Sequence, residues 1–193
     1  MTEPVWVRQD VVLAMHEEAL MLHGGPEGVR DMGLLESALA RPKNLLAYSE
    51  LSPSLARFAA AYAKGIVADH PFVDGNKRTA FTVSVTFLRL NGLKLTAPKE
   101  DRVLTFWSLA DGSLTESQLG DWFERFTVAG RRLLGSRPRW IAAQLSGLFA
   151  DHRTNWQALG PFRERRQNAH CTICTTHFVP EFIPYSSRSY IHC

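Results

Sequence analysis

His70-Pro71-Phe72-Val73-Asp74-Gly75-Asn76-Lys77-Arg78 is the stretch that decides the fold, because it separates two apolar segments of helical period. Residues 53–68 carry apolar side chains three and four positions apart. Residues 79–90 are apolar on almost every side, as expected of a helix buried inside a bundle. The pattern predicts a helix, a tight loop containing Pro and Gly, and then a central buried helix.

The second half of this stretch has the character of an anion site. A helix start leaves backbone N–H groups without partners and carries a partial positive charge, so it attracts anions. Asn76, Lys77 and Arg78 would add further donors. Gly75 would let a phosphate approach the backbone. We therefore expect phosphate to bind at the start of the central helix.

The first half supplies groups that could carry chemistry. His70 is the type of side chain that most readily accepts a proton near neutral pH. Asp74 offers the hard carboxylate oxygens that suit Mg²⁺. Phe72 is predicted to anchor the loop in the core instead. Singly, such residues are common in ordinary loops, but together they are the parts that phosphoryl or nucleotidyl transfer requires.

The nine residues resemble the signature of the Fic/Doc (Fido) superfamily, His-x-Phe-x-Asp/Glu-Gly/Ala-Asn-Gly/Lys-Arg. Lys77 resembles the death-on-curing (Doc) branch, in which Lys stands where Fic AMP-transferases have Gly. Residues 23–31, 34–42 and 87–92 are similar to further segments of Doc-like proteins. The resemblance covers about residues 5–128. It implies an all-α fold, the Fic/Doc helical bundle, with the central buried helix directly after the loop.

The resemblance also implies a function. Doc-like proteins are toxins of type II toxin–antitoxin systems that act as ATP-dependent protein kinases and inhibit translation. The expected reaction transfers the γ-phosphate of ATP to a protein hydroxyl, with Mg²⁺ and with EF-Tu as the target. Fic proteins that restrain themselves carry Ser/Thr-x-x-x-Glu-Gly/Asn. Here Glu27 is the one Glu that precedes Gly or Asn. Four positions before it stands His23, where the motif has Ser or Thr, so the chain lacks this motif. We therefore expect a separate antitoxin protein to cover the groove.

Roles for the signature residues follow from the resemblance. His70 would be the general base, and Asp74 would hold Mg²⁺. Gly75 and Asn76 would cradle phosphate through backbone N–H groups, with the Asn76 amide as an additional donor. Arg78 would bind phosphate oxygens and stabilise charge in the transition state.

Lys77 would distinguish kinase from AMP-transferase chemistry. A long cation in place of Gly should obstruct the usual pyrophosphate position, so that ATP binds reversed and presents its γ-phosphate. Two alternatives stay open. The chain could transfer AMP to a protein hydroxyl, as Fic enzymes do, or it could be a catalytically idle module that binds a peptide or a nucleotide.

Charge divides the chain into a body and a tail. Residues 1–130 hold 13 Lys+Arg and 16 Asp+Glu, a net charge of −3, whereas residues 131–193 hold nine Arg and three acidic residues, a net charge of +6. The body is predicted to be one Fic/Doc domain without a nucleic-acid surface. The tail is predicted to be an Arg-rich extension that is largely disordered or non-native. An Arg-driven nucleic-acid contact there is only weakly indicated.

The cysteines and the hydropathy bear on compartment and metals. All three cysteines lie in the tail, and the Cys171-x₂-Cys174-x₂-His177 spacing differs from the usual zinc-finger patterns, so zinc is not favoured. No apolar run approaches the roughly 20 residues of a membrane span, and the start lacks a signal-peptide pattern. We expect a cytoplasmic protein without a membrane partner.

Upstream of the signature, the apolar period predicts a first helix over residues 9–22. His16 and Glu17 are predicted to lie on its solvated face. Asp31 is the predicted N-cap of a second helix that ends near Arg41, with Pro42 just beyond.

Residues 43–52 are predicted to form an exposed loop. By resemblance it would be a flap that docks a target segment as an added strand; an ordinary loop that packs its leucines on the core is the alternative.

Downstream of the signature, Asn91-Gly92 is predicted to close the central helix. Residues 93–96 would be a short extended link, followed by a helix over 99–110. Thr115 and Gln118 resemble a capping box at the start of the last helix of the body. No alternating run of strand length is present, so an all-α body is expected.

Overall fold

The structure, a computed structural model, describes residues 3–130. The predictions of a disordered extension, a zinc site and a nucleic-acid contact all concern residues 131–193 and lie outside the described residues. The domain boundary near residue 130 stays a prediction for the same reason. The elements are α1 (Gln9–His23), α2 (Met32–Tyr48), α3 (Leu55–Asp69), α4 (Asn76–Leu90), β1 (Leu93–Leu95), α5 (Lys99–Asp111), α6 (Glu116–Phe126) and β2 (Thr127–Ala129).

α3 and α4 form the centre of the bundle, which confirms the all-α fold. Of the 15 residues of α4, 11 are buried, including the polar Ser84. The Ser84 hydroxyl is satisfied inside the core, 2.8 Å from the Ala80 carbonyl oxygen and 3.0 Å from that of Ala59. α3 is rich in alanine, so neighbouring helices can approach its backbone closely. The predicted central buried helix is therefore α4.

The predicted helix starts and stops are confirmed where they depend on local chemistry. Asp31 caps α2 by accepting a hydrogen bond of 3.1 Å from the Leu34 N–H. Thr115 and Gln118 form the predicted capping box at the start of α6. Gly92 follows α4 with φ +83°, a left-handed conformation that Gly adopts readily.

α2 extends further than predicted. The helix continues through Pro42 to Tyr48, so the prediction that it ends near Arg41 is wrong, and so is the loop prediction for residues 43–48. Proline inside a helix forfeits one backbone hydrogen bond. Pro42 is buried, and the leucines that follow it pack against the core. We attribute the continued helix to this apolar burial. Residues 49–54 link α2 to α3, and a strand-docking role for them stays a prediction.

Two short strands accompany the helices. β1 pairs antiparallel with β2, with Lys94 opposite Val128. The extended link at residues 93–96 was predicted, but β2 was not, because a strand of three residues carries little alternating pattern. No helix within residues 3–130 has both the length and the apolarity needed to cross a membrane.

Gly65 sets how closely α2 approaches α3. A Cβ atom added to Gly65 would lie 3.0 Å from both the Cα and the carbonyl oxygen of Ala38 on α2. These are backbone atoms, so they cannot rotate away as the end of a side chain can.

Gly65→Ala should therefore destabilise the fold. We expect the cost of overpacking, about 1–3 kcal/mol, to exceed the gain of about 1 kcal/mol in helix propensity. Urea denaturation of the full chain measures the difference. Gly33→Ala is the matched control, because Gly33 is exposed and its added Cβ would meet only Asp31 Oδ1, at 3.3 Å. A Gly65→Ala variant as stable as wild type would contradict the close helix contact.

Candidate active site

The signature stretch forms the connection between α3 and α4. His70 ends α3 in the left-handed conformation, with φ +49° and ψ +55°, and no other non-glycine residue in the described part of the chain has a positive φ. Such a conformation costs of order 1–3 kcal/mol and persists where the surroundings hold it. Contacts with the surrounding residues must therefore hold the loop in this conformation.

The segment after α1 holds one side of the loop. The Arg30 N–H donates to the Pro71 carbonyl oxygen at 2.7 Å, and the Val73 N–H donates to the Gly28 carbonyl oxygen at 3.1 Å. The Arg30 guanidinium also donates to the Asp69 carbonyl oxygen at 2.7 Å. Asp69 is the last residue of α3, where a cation stabilises the partial negative charge of the helix end.

Asn76 holds the loop from within. Its Oδ1 accepts a hydrogen bond of 3.0 Å from the Phe72 N–H, and its Nδ2 donates to the Phe72 carbonyl oxygen at 2.9 Å. Phe72 itself is buried in the core. The sequence predicted that the Asn76 amide contacts phosphate. In the structure both its oxygen and its nitrogen bind the loop backbone, and the phosphate contact stays a prediction.

His16 lies underneath the loop, so the prediction that it faces solvent is wrong. It is 3% exposed, and its ring stacks on Phe72 with a centroid distance of 3.8 Å. Its Nδ1 lies 3.1 Å from Thr79 Oγ1. A Cβ on Gly75 would lie 3.4 Å from His16 Cε1. The position of His16 in the α1 pattern does not reveal that Phe72 and Thr79, on other segments, supply an aromatic face and a hydroxyl. Glu17, its neighbour, is exposed as predicted.

Arg78 joins the loop to the end of α1. Its Nη2 donates to Asp74 Oδ2 at 3.3 Å, and its Nη1 donates to the Gly24 carbonyl oxygen at 3.1 Å. The Arg78 side chain is only 15% exposed, whereas that of Asp74 is 47% exposed. The guanidinium is therefore fixed in orientation, while the Asp74 carboxylate can be reached from solvent.

The start of α4 has the features of an anion site. Gly75 is its N-cap, with φ +74°, and no side chain caps the helix there. The first backbone bond of the helix runs from the Thr79 N–H to the Gly75 carbonyl oxygen at 2.9 Å. The N–H groups of residues 76–78 consequently have no partner inside the helix, and the helix dipole adds positive potential.

Comparison with known proteins identifies the family of the chain. Residues 6–88 match the model of the Fic/DOC family. The chain is 30% identical over 119 residues to the Protein kinase doc of Escherichia phage P1, covering 62% of this chain and 93% of that protein. It is 41% identical over 90 residues to the Toxin Doc of Mycolicibacterium smegmatis (strain ATCC 700084 / mc(2)155), covering 47% of this chain and 66% of that protein.

The chain belongs to the Fic/DOC family. The names of both relatives support the death-on-curing branch that Lys77 indicated.

The Fic/DOC signature residues do not all make the same contacts. Asp74 and Arg78 contact each other directly, and Asp74 Oδ1 accepts the Gly75 N–H at 2.6 Å. His70 stands at the other end of the loop, directly after α3. Lys77 points to α5, where its Nζ lies 4.0 Å from the centroid of the Trp107 ring. The two adjacent cations of α4 therefore reach different neighbours.

The half-exposed Asp74 carboxylate has the oxygen ligands that suit a Mg²⁺ ion. Within residues 3–130, no three His, Cys, Asp or Glu side chains gather as a metal-binding group. Mg²⁺ usually keeps several waters and takes one or two carboxylates together with substrate phosphates. A single half-exposed carboxylate beside an anion site satisfies that requirement.

Gly25 lies close to the Asp74 carboxylate. It has φ +127°, and a Cβ added there would overlap Asp74 Oδ2. Gly24, its neighbour, has φ +71°, but a Cβ added to it would meet nothing within 4 Å. The two glycines therefore separate the cost of the backbone conformation from the cost of crowding the carboxylate.

Gly25→Ala should be more destabilising than Gly24→Ala. Both variants incur the backbone cost of about 1–3 kcal/mol, and only Gly25→Ala also displaces Asp74 or the loop. The midpoint of urea denaturation measures both variants. Equal midpoints would show that the Gly25 loop does not press on the carboxylate.

The environment of His16 keeps its imidazole neutral. Burial lowers the pKa of His16 below its ordinary value of 6.5, the positive charge of Arg78 lowers it further, and the negative charge of Asp74 opposes them. As pH falls below 6.5, the unfolded chain therefore binds more protons at this position than the folded chain does. The contribution of His16 must therefore lower the free energy of unfolding as pH falls through that range. At higher pH His16 has no such effect on the free energy of unfolding.

Replacement of His16 should remove part of this pH dependence. We expect wild type to lose more stability than His16→Gln between pH 7.5 and 5.5, measured by denaturation at each pH. Glu17→Gln is the control, because Glu17 is the exposed neighbour of His16 on α1 and lies outside the stack on Phe72. A His16→Gln variant with the wild-type pH dependence would contradict the buried neutral imidazole.

Proposed function

We propose that this protein is a Doc-type toxin that transfers the γ-phosphate of ATP to a hydroxyl group of a protein. The observation that carries the proposal is the fixed Arg78 guanidinium beside Asp74 at the uncapped start of α4. The names of the relatives, Toxin Doc and Protein kinase doc, support a toxin and a phosphotransferase.

In this proposal the acceptor hydroxyl oxygen attacks the γ-phosphorus of ATP. A new oxygen–phosphorus bond forms, the bond to the β,γ-bridging oxygen breaks, and ADP leaves. His70 accepts the proton of the hydroxyl. The left-handed conformation of His70 turns the chain from α3 into the loop that leads to the anion site.

Arg78 and the start of α4 bind the phosphate oxygens. The Gly24 carbonyl holds one side of the guanidinium, so its planar fork keeps one orientation as charge develops on the phosphoryl group. Asp74 would hold Mg²⁺, which supplies neutralisation of phosphate charge when bound. Because Asp74 Oδ2 is paired with Arg78, both groups must share or exchange partners when a metal nucleotide enters.

The biological setting belongs to the same proposal. By resemblance, the acceptor is a threonine of EF-Tu, and its modification inhibits translation in the cytoplasm. A separate antitoxin protein restrains the enzyme by covering its groove.

His70→Ala should abolish transfer while leaving the fold intact. General base catalysis typically contributes about 10²–10⁴-fold, so a loss of that size is expected. The full chain is incubated with EF-Tu, ATP and Mg²⁺, and the mass of intact EF-Tu is measured. Arg41→Ala is the control, because Arg41 pairs with Glu116 between α2 and α6, outside the loop.

Each mass result decides one part of the proposal. An increment of one phosphate on EF-Tu, absent with His70→Ala, supports it. An increment of one AMP would assign Fic-type chemistry and contradict the kinase. Unmodified EF-Tu would remove EF-Tu as the target, and near-wild-type transfer by a folded His70→Ala variant would remove His70 as the base.

A further inference from the structure

Lys77 is the second cation of the first turn of α4, and it is held by α5. Its Nζ lies 4.0 Å from the centroid of the Trp107 ring. A cation within about 6 Å of an aromatic face is attracted by the quadrupole of the ring, most strongly by that of Trp. Trp107 is half-buried, and its indole Nε1 is enclosed by the protein.

The end of α5 adds two further attractions for the positive charge of Lys77. Asp111 is the last residue of α5 and follows Trp107 by four positions, so the two side chains share a face of the helix. The pKa of Asp111 is lowered mainly by hydrogen bonds from Ser113, and the positive charge of Lys77 lowers it as well. The C-terminal end of a helix also carries partial negative charge. Lys77 is thus drawn to the end of α5 by a ring, a carboxylate and a helix dipole.

This tether governs where the Lys77 charge lies relative to the anion site. The Cα of Lys77 belongs to the turn whose N–H groups face an incoming anion, and a lysine stem is long and flexible. Once released from the Trp107 ring, the ammonium could leave the α5 side of the helix start. The Trp107 ring holds it on the α5 side of the helix start instead.

We propose that Trp107 is a specificity-determining residue of this enzyme. Lys77, fixed against α5 by Trp107, closes one region of the site to phosphates. The closed region decides which phosphorus of ATP meets the acceptor hydroxyl. Trp107 is a positioning residue, because it acts through Lys77. The inference rests on the proposed kinase function, and it assigns the choice between phosphate and AMP to a contact between α4 and α5.

The contact itself is tested without catalysis. The full chain is treated briefly with an acetylating reagent, and acetylation of Lys77 is measured by peptide mass spectrometry. We expect Trp107→Leu to raise the Lys77 acetylation rate several-fold, and Trp107→Phe, which keeps an aromatic face, to stay near wild type. Leu104→Ala is the control, because Leu104 is a 61% exposed residue of the same helix. Unchanged acetylation in Trp107→Leu would overturn the proposal.

The specificity is tested with EF-Tu, ATP and Mg²⁺. We expect Trp107→Leu to lower the ratio of phosphate to AMP on the acceptor at least tenfold, and Trp107→Phe to restore it. Lys77→Ala should have the same effect, and the double variant should show no further change, since both residues act through one contact. A merely structural role for Trp107 would slow both transfers and leave the ratio unchanged.

The outcomes separate the two proposals. Phosphate transfer by wild type with an unchanged ratio in Trp107→Leu would overturn only the role of Trp107. AMP transfer by wild type would overturn the kinase function and the inference with it. Additive effects of the Lys77 and Trp107 variants on the ratio would show that Trp107 does not act through Lys77.

Discussion

The two hydrogen bonds between the Asn76 amide and the Phe72 backbone are the constraint on which the rest of the site depends. They fix the five residues from Phe72 to Asn76 as one turn, although no regular element continues through them. His70 lies two residues before that turn, in the left-handed conformation that is uncommon outside glycine. Asn76 is also the first residue of α4, so the same two bonds tie the start of that helix to the loop.

The stack of His16 on Phe72 makes this turn part of the core. A loop with a histidine, an aspartate and an arginine would ordinarily be solvated, and catalytic residues on such a loop need a rigid scaffold to position them. Here the Phe72 ring lies between the loop and α1, and the Thr79 hydroxyl meets the Nδ1 atom of the buried imidazole. The carbonyl oxygen of Gly24, directly after α1, also accepts a hydrogen bond from Arg78. α1 therefore supports the site at two points, although the sequence signature contains none of its residues.

How much the sequence predicts depends on whether the cause is local. The turn between α3 and α4, the Asp31 cap and the Thr115 capping box follow from residues within a few positions of one another, and the sequence predicted all of them. The continuation of α2 through Pro42 depends on core packing behind the proline, which no local rule contains. The burial of His16 depends on Phe72 and Thr79, about sixty residues away. The chemical roles of His70, Asp74 and Arg78 stay predictions, because contacts within the chain show where these groups lie and not what they react with.

Lys77 and Arg78 show why the residues of a signature do not act alone. Both are cations in the first turn of α4, and the sequence alone would add both charges to the same anion site. The structure divides them, with Arg78 directed to α1 and Asp74 and Lys77 directed to the Trp107 ring on α5. Arg78, which faces Asp74, is a planar fork with fixed orientation. Lys77 is a point charge held over the aromatic face of Trp107. The electrostatics of the nine-residue signature are therefore decided partly by a residue 29 positions after it, on a helix that the signature does not include.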